Sequence, residues 1–174
     1  MEIIKCEMCH LDALTKLYDK VTAYLESHVN YPKWTPGVYP GRTSIERAIL
    51  QGVQYGCFDG EKVVGAFILN EDPQGNYEVG KWSVDAKEGE YLVIHTLASD
   101  PESYKKGIGI FLVDYAVSQA RILGKKAVRL DVVPDNIPAR KLYEKKGFAF
   151  AGEKDLERGI AEIPIFALYE YRIQ

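Results

Sequence analysis

The segment Ser103-Tyr104-Lys105-Lys106-Gly107-Ile108-Gly109 lies between an apolar run of strand length and a run with helical periodicity. Glycines let backbone N–H groups approach a ligand closely, and the first turn of a helix presents unsatisfied N–H groups and the positive end of its dipole. Such a turn suits an anion, a phosphate above all, and Lys105 and Lys106 add positive charge. It is not a Walker A loop, because no G-x-x-x-x-G-K-[ST] is present, and no third glycine follows Gly109 at the offset of a dinucleotide-binding turn. The alternative reading is a helix start that happens to carry two glycines. A second cluster, Cys6-Glu7-Met8-Cys9-His10, matches the C-x-x-C-H pattern of covalent haem attachment. Haem is not expected, since no export signal precedes the cluster, and no metal is expected, since ligands for a second zinc half-site are not clustered. Cys6, Cys9 and Cys57 read as ordinary thiols of a reducing compartment.

The elements that must position the glycine loop follow from periodicity. A short strand over 2–6 leads into a helix from about Leu11 to Leu25, where Leu14, Leu17, Tyr18, Val21, Tyr24 and Leu25 form one apolar face. Residues 28–41 hold three prolines and several aromatics and predict an irregular loop. Thr43-Ser44-Ile45-Glu46 reads as a capping box opening a short helix to about Gln51. Strands over 53–58 and 62–69 are joined by Asp59-Gly60, a hairpin signal. The polar segment 70–90 is expected to hold one more strand around 77–84.

Tyr91–Ala98 is nearly continuously apolar and reads as a central strand buried on both faces. A helix over 108–123 ends at Gly124, a strand covers 126–133, and a helix from Asn136 to Lys146 stops at Gly147. Strands over 148–153 and 161–172 close the chain. The fold class is α/β, a mixed, mostly antiparallel central sheet with helices on both faces, and residues 1–174 form one domain. The 174 residues carry a formal net charge of −3, so no affinity for nucleic acid or a membrane surface is expected, and no apolar run is long enough to cross a bilayer. A cytoplasmic location is the expectation. Residues 104–146 nevertheless hold ten Lys/Arg against four Asp/Glu, a local +6 around the candidate anion loop.

Two stretches together carry a resemblance. Tyr104 to Gly109 is similar to the [QR]-x-x-G-x-[GA] loop of the GNAT superfamily of acetyl-CoA-dependent N-acetyltransferases. Asn136-Ile137-Pro138-Ala139-Arg140-Lys141-Leu142-Tyr143, followed by Gly147-Phe148, resembles that family's second signature, N-x-x-A-x-x-x-Y-x-x-x-G-F. The pair occurs in the family's order and covers roughly residues 90–150. Tyr104 departs from the usual Gln or Arg, and Lys105 stands where a further glycine is common; both positions contribute mainly backbone N–H groups.

The resemblance implies a GNAT fold, acetyl-CoA as co-substrate, and transfer of its acetyl group to a primary amine, that of a small molecule being the leading expectation. Acetylation of a protein or peptide amine, or a non-catalytic acyl-CoA sensor, are the alternatives. It also implies roles. Leu97, Ala98 and Ser99 would hold the pantetheine arm through backbone groups, and Tyr104, Lys105, Lys106, Gly107, Ile108 and Gly109 the pyrophosphate. Asn136 would contact the arm near its reactive end, and Tyr143 would be the general acid. A phenol with pKa about 10 stays protonated at neutral pH and can donate to a leaving thiolate. Asp131 and His95 are rival general bases, and a water-relayed base or none at all is the third alternative. Tyr31, Trp34 and Tyr39 either line the acceptor site or pack the loop that carries them. A homodimer through the apolar C-terminal strand around Ile163–Tyr169 is possible, although Pro164 suits an edge or a bulge.

Overall fold

The computed structural model describes residues 1–104 and 106–174. Seven strands form one sheet in the order β1-β2-β3-β4-β5-β7-β6. They are β1 (Glu2–Lys5), β2 (Gln54–Asp59), β3 (Lys62–Asn70), β4 (Tyr91–Ser99), β5 (Ala127–Val132), β6 (Ala149–Lys154) and β7 (Phe166–Arg172). Among the described residues four α-helices accompany them: α1 (Leu11–Ser27), α2 (Arg42–Leu50), α3 (Ile108–Ile122) and α4 (Ile137–Lys145). β1 with β2, β2 with β3, β5 with β7 and β6 with β7 are antiparallel, and β4 with β5 is parallel. The mixed, mostly antiparallel sheet is thus the one the sequence predicts.

The chain divides into two compact units. The first holds residues 1–30, 34–69 and 95–112. Its core gathers Leu11, Leu14, Leu17, Tyr18 and Val21, the i, i+3, i+4 face of α1, with Ile45 and Ile49 of α2. Trp34 of the proline-rich loop packs on this core and meets the Tyr18 ring edge-on at 6.1 Å, whereas Tyr39 is half-exposed. Before α1, the C-x-x-C-H cluster makes a helix entrance: the Glu7 N–H donates to His10 Nδ1 (3.0 Å), and the Cys6 thiol is buried and pushed up to about 12 by that burial and by Cys9. The turn joining β2 and β3 is Gly60-Glu61, closed by the Asp59–Lys62 pair, one residue later than Asp59-Gly60 suggests.

The second unit holds residues 31–33, 70–94 and 113–174, around Tyr77, Tyr91, Val93, Leu156 and Leu168. Three expectations are corrected. The Thr43–Glu46 capping box is displaced, because α2 starts at Arg42 and Ser44 Oγ bonds Gly41, accepting its N–H at 3.0 Å and donating to its carbonyl at 2.7 Å. No strand forms around 77–84; a 3-10 turn spans Tyr77–Val79 instead. The backbone there is satisfied largely by side chains rather than by a ladder, since Glu170 Oε1 accepts from the N–H of Ser83 (2.8 Å) and of Val84 (3.1 Å), and Trp82 Nε1 donates to the Tyr77 carbonyl (2.5 Å), while the Lys81 N–H donates to the Ala151 carbonyl (2.8 Å). The last strand begins at Phe166 rather than at 161, after Pro164, which has no N–H to give a ladder. β7 lies between β5 and β6, so both its edges are occupied, and it offers no edge on which a second copy could pair.

Candidate active site

In the first unit, the second half of β4 and the loop after it bring together seven of the sequence-predicted residues the structure describes there. His95 is buried, Leu97 and Ser99 are half-buried, and Ala98 belongs to the core. Between His95 and Leu97, Thr96 has φ +49°. That region is an outlier for a β-branched residue and costs about 1–3 kcal/mol, so it persists only where its surroundings fix it.

The loop start is anchored by Asp100, which is 1% exposed. Its backbone N–H donates to the Val64 carbonyl (2.9 Å), its Oδ1 accepts from the Glu102 N–H (3.0 Å), and its carbonyl accepts from the Ser103 N–H (2.8 Å). Lys20 of α1 and Lys62 of β3 each reach the carboxylate at 2.8 Å. Burial pushes the Asp100 carboxyl up, but the two ammonium groups and the Glu102 amide outweigh it and hold it down to about 2. A 3-10 turn over Pro101–Ser103 follows, and Tyr104 lies edge-on to Tyr24 at 5.5 Å. Lys105 lies outside the described residues. Lys106 is exposed, and its N–H donates to the Ser103 carbonyl (3.2 Å).

Gly107 has φ +73°, faces open space, and its carbonyl receives the Phe111 N–H (3.0 Å), so α3 starts directly behind it. The amides of Ile108, Gly109 and Ile110 precede that bond and donate to no acceptor among the described residues, an arrangement that suits an anion. Gly65 of β3 makes the helix start sit close: a Cβ there would lie 2.7 Å from Ile108 Cγ2 and 3.3 Å from the Ala98 carbonyl oxygen.

In the second unit lie Asp131, Asn136 and Tyr143. Asn136 caps α4, its Oδ1 accepting from the Ala139 N–H at 3.3 Å, and this leaves its Nδ2 donors outside the cap. Tyr143 is buried, with the rings of Phe148 and Tyr169 at 5.6 and 6.5 Å. Burial, and then the negative charge of Asp131, push its phenol well above the ordinary tyrosine value, so it is protonated at every physiological pH. Asp131 is fully engaged: Arg158 grips both carboxylate oxygens at 2.7 Å, and the Tyr77 hydroxyl donates to Oδ2 at 2.6 Å. Arg158 also donates to the carbonyls of Pro73 and Gln74, tying that loop to β5. The Asp131 face of β5 is therefore a second buried face, which it shares with Arg129. That guanidinium lies between Trp82 and Tyr91 and pairs with the buried Glu170 at 2.8 Å.

Much of the local +6 is neutralised. Lys125, Lys126, Arg129, Arg140 and Lys146 all have acidic partners, so positive charge in the 104–146 stretch is concentrated less than the sequence suggests. Among the described residues no group of three His, Cys, Asp or Glu could hold a metal ion, and no helix is long and apolar enough to cross a membrane.

Residues 21–148 match the family described as the acetyltransferase (GNAT) family. The chain belongs to that family. The matched range includes Thr96, Asp100, the glycine loop and both Asn136 and Tyr143. Solved GNAT-like structures share the fold. A putative acetyltransferase from Staphylococcus aureus Mu50 superposes with a TM-score of 0.72 at 21% identity over 100% of both chains. The structure of yncA, a putative acetyltransferase from Salmonella typhimurium with its cofactor acetyl-CoA, gives 0.68 at 15% identity over 100% of this chain and 94% of that one. Among curated proteins, the mycothiol acetyltransferase of Geodermatophilus obscurus is 31% identical over 94 residues, which is 53% of this chain and 27% of that protein. The chain thus spans about a quarter of the length of that relative.

Asp100, Tyr77 and Arg158 contact candidate site residues or anchor the candidate loop, and sequence reasoning missed them. For Asp100 a signal existed, since an Asp before a Pro starts turns. Tyr77 and Arg158 lie 54 and 27 residues from Asp131, and nothing local marks them.

Proposed function

We propose that the protein transfers the acetyl group of acetyl-CoA to the primary amine of a small molecule, by direct attack of the amine on the bound thioester. The observation that carries this is the loop Asp100–Gly109, with a left-handed Gly107 and a helix start whose first amides donate to no acceptor among the described residues, inside a chain of the GNAT family. Those amides suit a pyrophosphate, and a group held there needs no metal. The amine lone pair attacks the thioester carbonyl carbon, the C–S bond breaks, the coenzyme leaves as a thiolate that takes a proton, and the amine nitrogen gives one up. Tyr143 is assigned to the thiolate. Its raised phenol is a reluctant acid, so it hydrogen-bonds the sulfur as charge develops and completes transfer only as the bond breaks.

Asp131 is assigned to positioning rather than to proton removal, because Arg158 and the Tyr77 hydroxyl already occupy its carboxylate oxygens. His95 is then the side chain to test as base. A relative named for mycothiol rather than for a protein supports a small acceptor over a peptide. Thiol release from acetyl-CoA, measured with a panel of small amines and with N-terminal peptides, tests the reading. Release matched one-to-one by acetylated small amine supports it. Acetylation confined to peptides, or acetyl-CoA binding with no release, overturns it in favour of a peptide-modifying enzyme or an acyl-CoA sensor.

A further inference from the structure

Thr96, in β4, has φ +49°, among the described residues the one non-glycine strand position with positive φ, and it is a poor residue for the task. Its branched Cβ disfavours the left-handed region, which glycine enters freely. Something outside the strand must hold it. The contact is Tyr18, from the middle of α1 and 78 residues away in sequence. Its hydroxyl donates to the Thr96 carbonyl oxygen at 2.9 Å and lies 3.4 Å from Thr96 Oγ1. Tyr18 is itself fixed: it is 1% exposed, its ring packs edge-on against Trp34, and its hydroxyl also meets the Gln54 side chain. Gln54, in turn, donates to the carbonyls of Tyr55 and Phe67. A buried tyrosine whose hydroxyl grips the carbonyl of a strained residue sets where the peptide groups on either side of that residue point.

We propose that Tyr18 is a positioning residue for acetyl transfer: by holding Thr96 in the left-handed conformation it orients the backbone of Leu97, Ala98 and Ser99 toward the coenzyme arm. This rests on the functional reading above, which assigns those three residues to the arm. It assigns a hydroxyl in the core of α1 a part in a reaction that it does not touch. Without it, Thr96 relaxes toward extended geometry, and every following peptide group of the strand is re-aimed. Misplacement of a binding backbone by about 1 Å costs on the order of 100-fold in rate.

The test is Tyr18→Phe, which keeps the ring and its packing, alone and combined with Thr96→Gly, which adopts positive φ without a Cβ clash. Turnover is followed by thiol release, and amide hydrogen exchange is followed in residues 95–99. The expected result is faster exchange at 95–99 and a kcat lowered on the order of 10- to 100-fold in Tyr18→Phe, with the coenzyme KM also raised. The double variant recovers kcat to within about three-fold of wild type, because glycine removes the strain that the hydroxyl was opposing. A merely structural role for the hydroxyl gives no such rescue. Unchanged exchange and kcat in Tyr18→Phe overturn the proposal, and so does a kcat loss that Thr96→Gly leaves in place. If wild type acetylates no amine while Tyr18→Phe still speeds exchange at 95–99, the clamp on Thr96 stands and the functional reading falls.

Discussion

Replacing Asp100 by Asn removes one charge from the point where β4 hands the chain to the glycine loop, and it changes little else. The side-chain oxygen that accepts the Glu102 N–H remains, so the turn over Pro101–Ser103 keeps its cap. What is lost is the pairing with Lys20 and Lys62, both at 2.8 Å from a carboxylate that is 1% exposed. The carboxyl falls from 3.8 to about 2, and a unit of pKa is worth about 1.4 kcal/mol, which sets an upper bound of about 2.5 kcal/mol. The lysine side chains are 36% and 55% exposed, and solvent screens part of this, so about 1–2 kcal/mol is expected at pH 7.

The sign follows from the direction of the shift. A carboxyl whose folded value is depressed stabilises the fold above its unfolded value near 3.9, and that contribution disappears as pH falls toward 2. Urea unfolding followed by circular dichroism, on wild type and Asp100→Asn at pH 7, 5 and 3, is the assay. The difference in stability should be full at pH 7, nearly full at pH 5 and roughly halved at pH 3. The coenzyme KM should rise as well, since the anchor of its loop is loosened. A difference below about 0.3 kcal/mol at pH 7, or one of equal size at pH 7 and pH 3, would refute the electrostatic account.

Tyr143→Phe should keep the fold, because the ring retains its neighbours Phe148 and Tyr169, and should lower kcat by about 10²-fold with little change in coenzyme affinity; wild-type turnover would remove Tyr143 from the mechanism. Gly65→Ala places a Cβ 2.7 Å from Ile108 Cγ2 and pushes the start of α3 off β3, so calorimetry should show weaker acetyl-CoA binding. Glu170→Gln leaves the 3%-exposed Arg129 without its counter-charge and should cost about 3–5 kcal/mol, a fall in Tm on the order of 10 °C. Asp131→Asn should loosen the 73–77 loop, read as faster amide exchange there, while the pH profile of kcat keeps its basic-amine limb; loss of that limb would make Asp131 the base after all.

The sequence by itself determined the elements and the chemistry-bearing loop. Seven strands and four helices appear where periodicity of 2 and 3.6 residues and the Gly and Pro signals place them, because those patterns record which side of a local element is buried. The glycine loop was legible for the same reason, as the groups proposed to face the ligand are backbone amides within a few residues of Gly107. The 70–90 segment was not legible. Its backbone is satisfied by Glu170, far along the chain, and a partner at that distance leaves no local period to read.

Tertiary structure alone decided what surrounds the titratable groups. On sequence, Asp131 is a carboxylate at a useful spacing from Asn136; in the fold both its oxygens are taken by Arg158 and Tyr77. Asp100 is an unremarked residue before a proline until Lys20 and Lys62 arrive from α1 and β3. The strain at Thr96, and the buried hydroxyl of Tyr18 that holds it, exist only where a helix and a strand 78 residues apart are packed together. Charge and strain are properties of neighbourhoods, and the neighbourhood of a buried side chain is set by the whole chain.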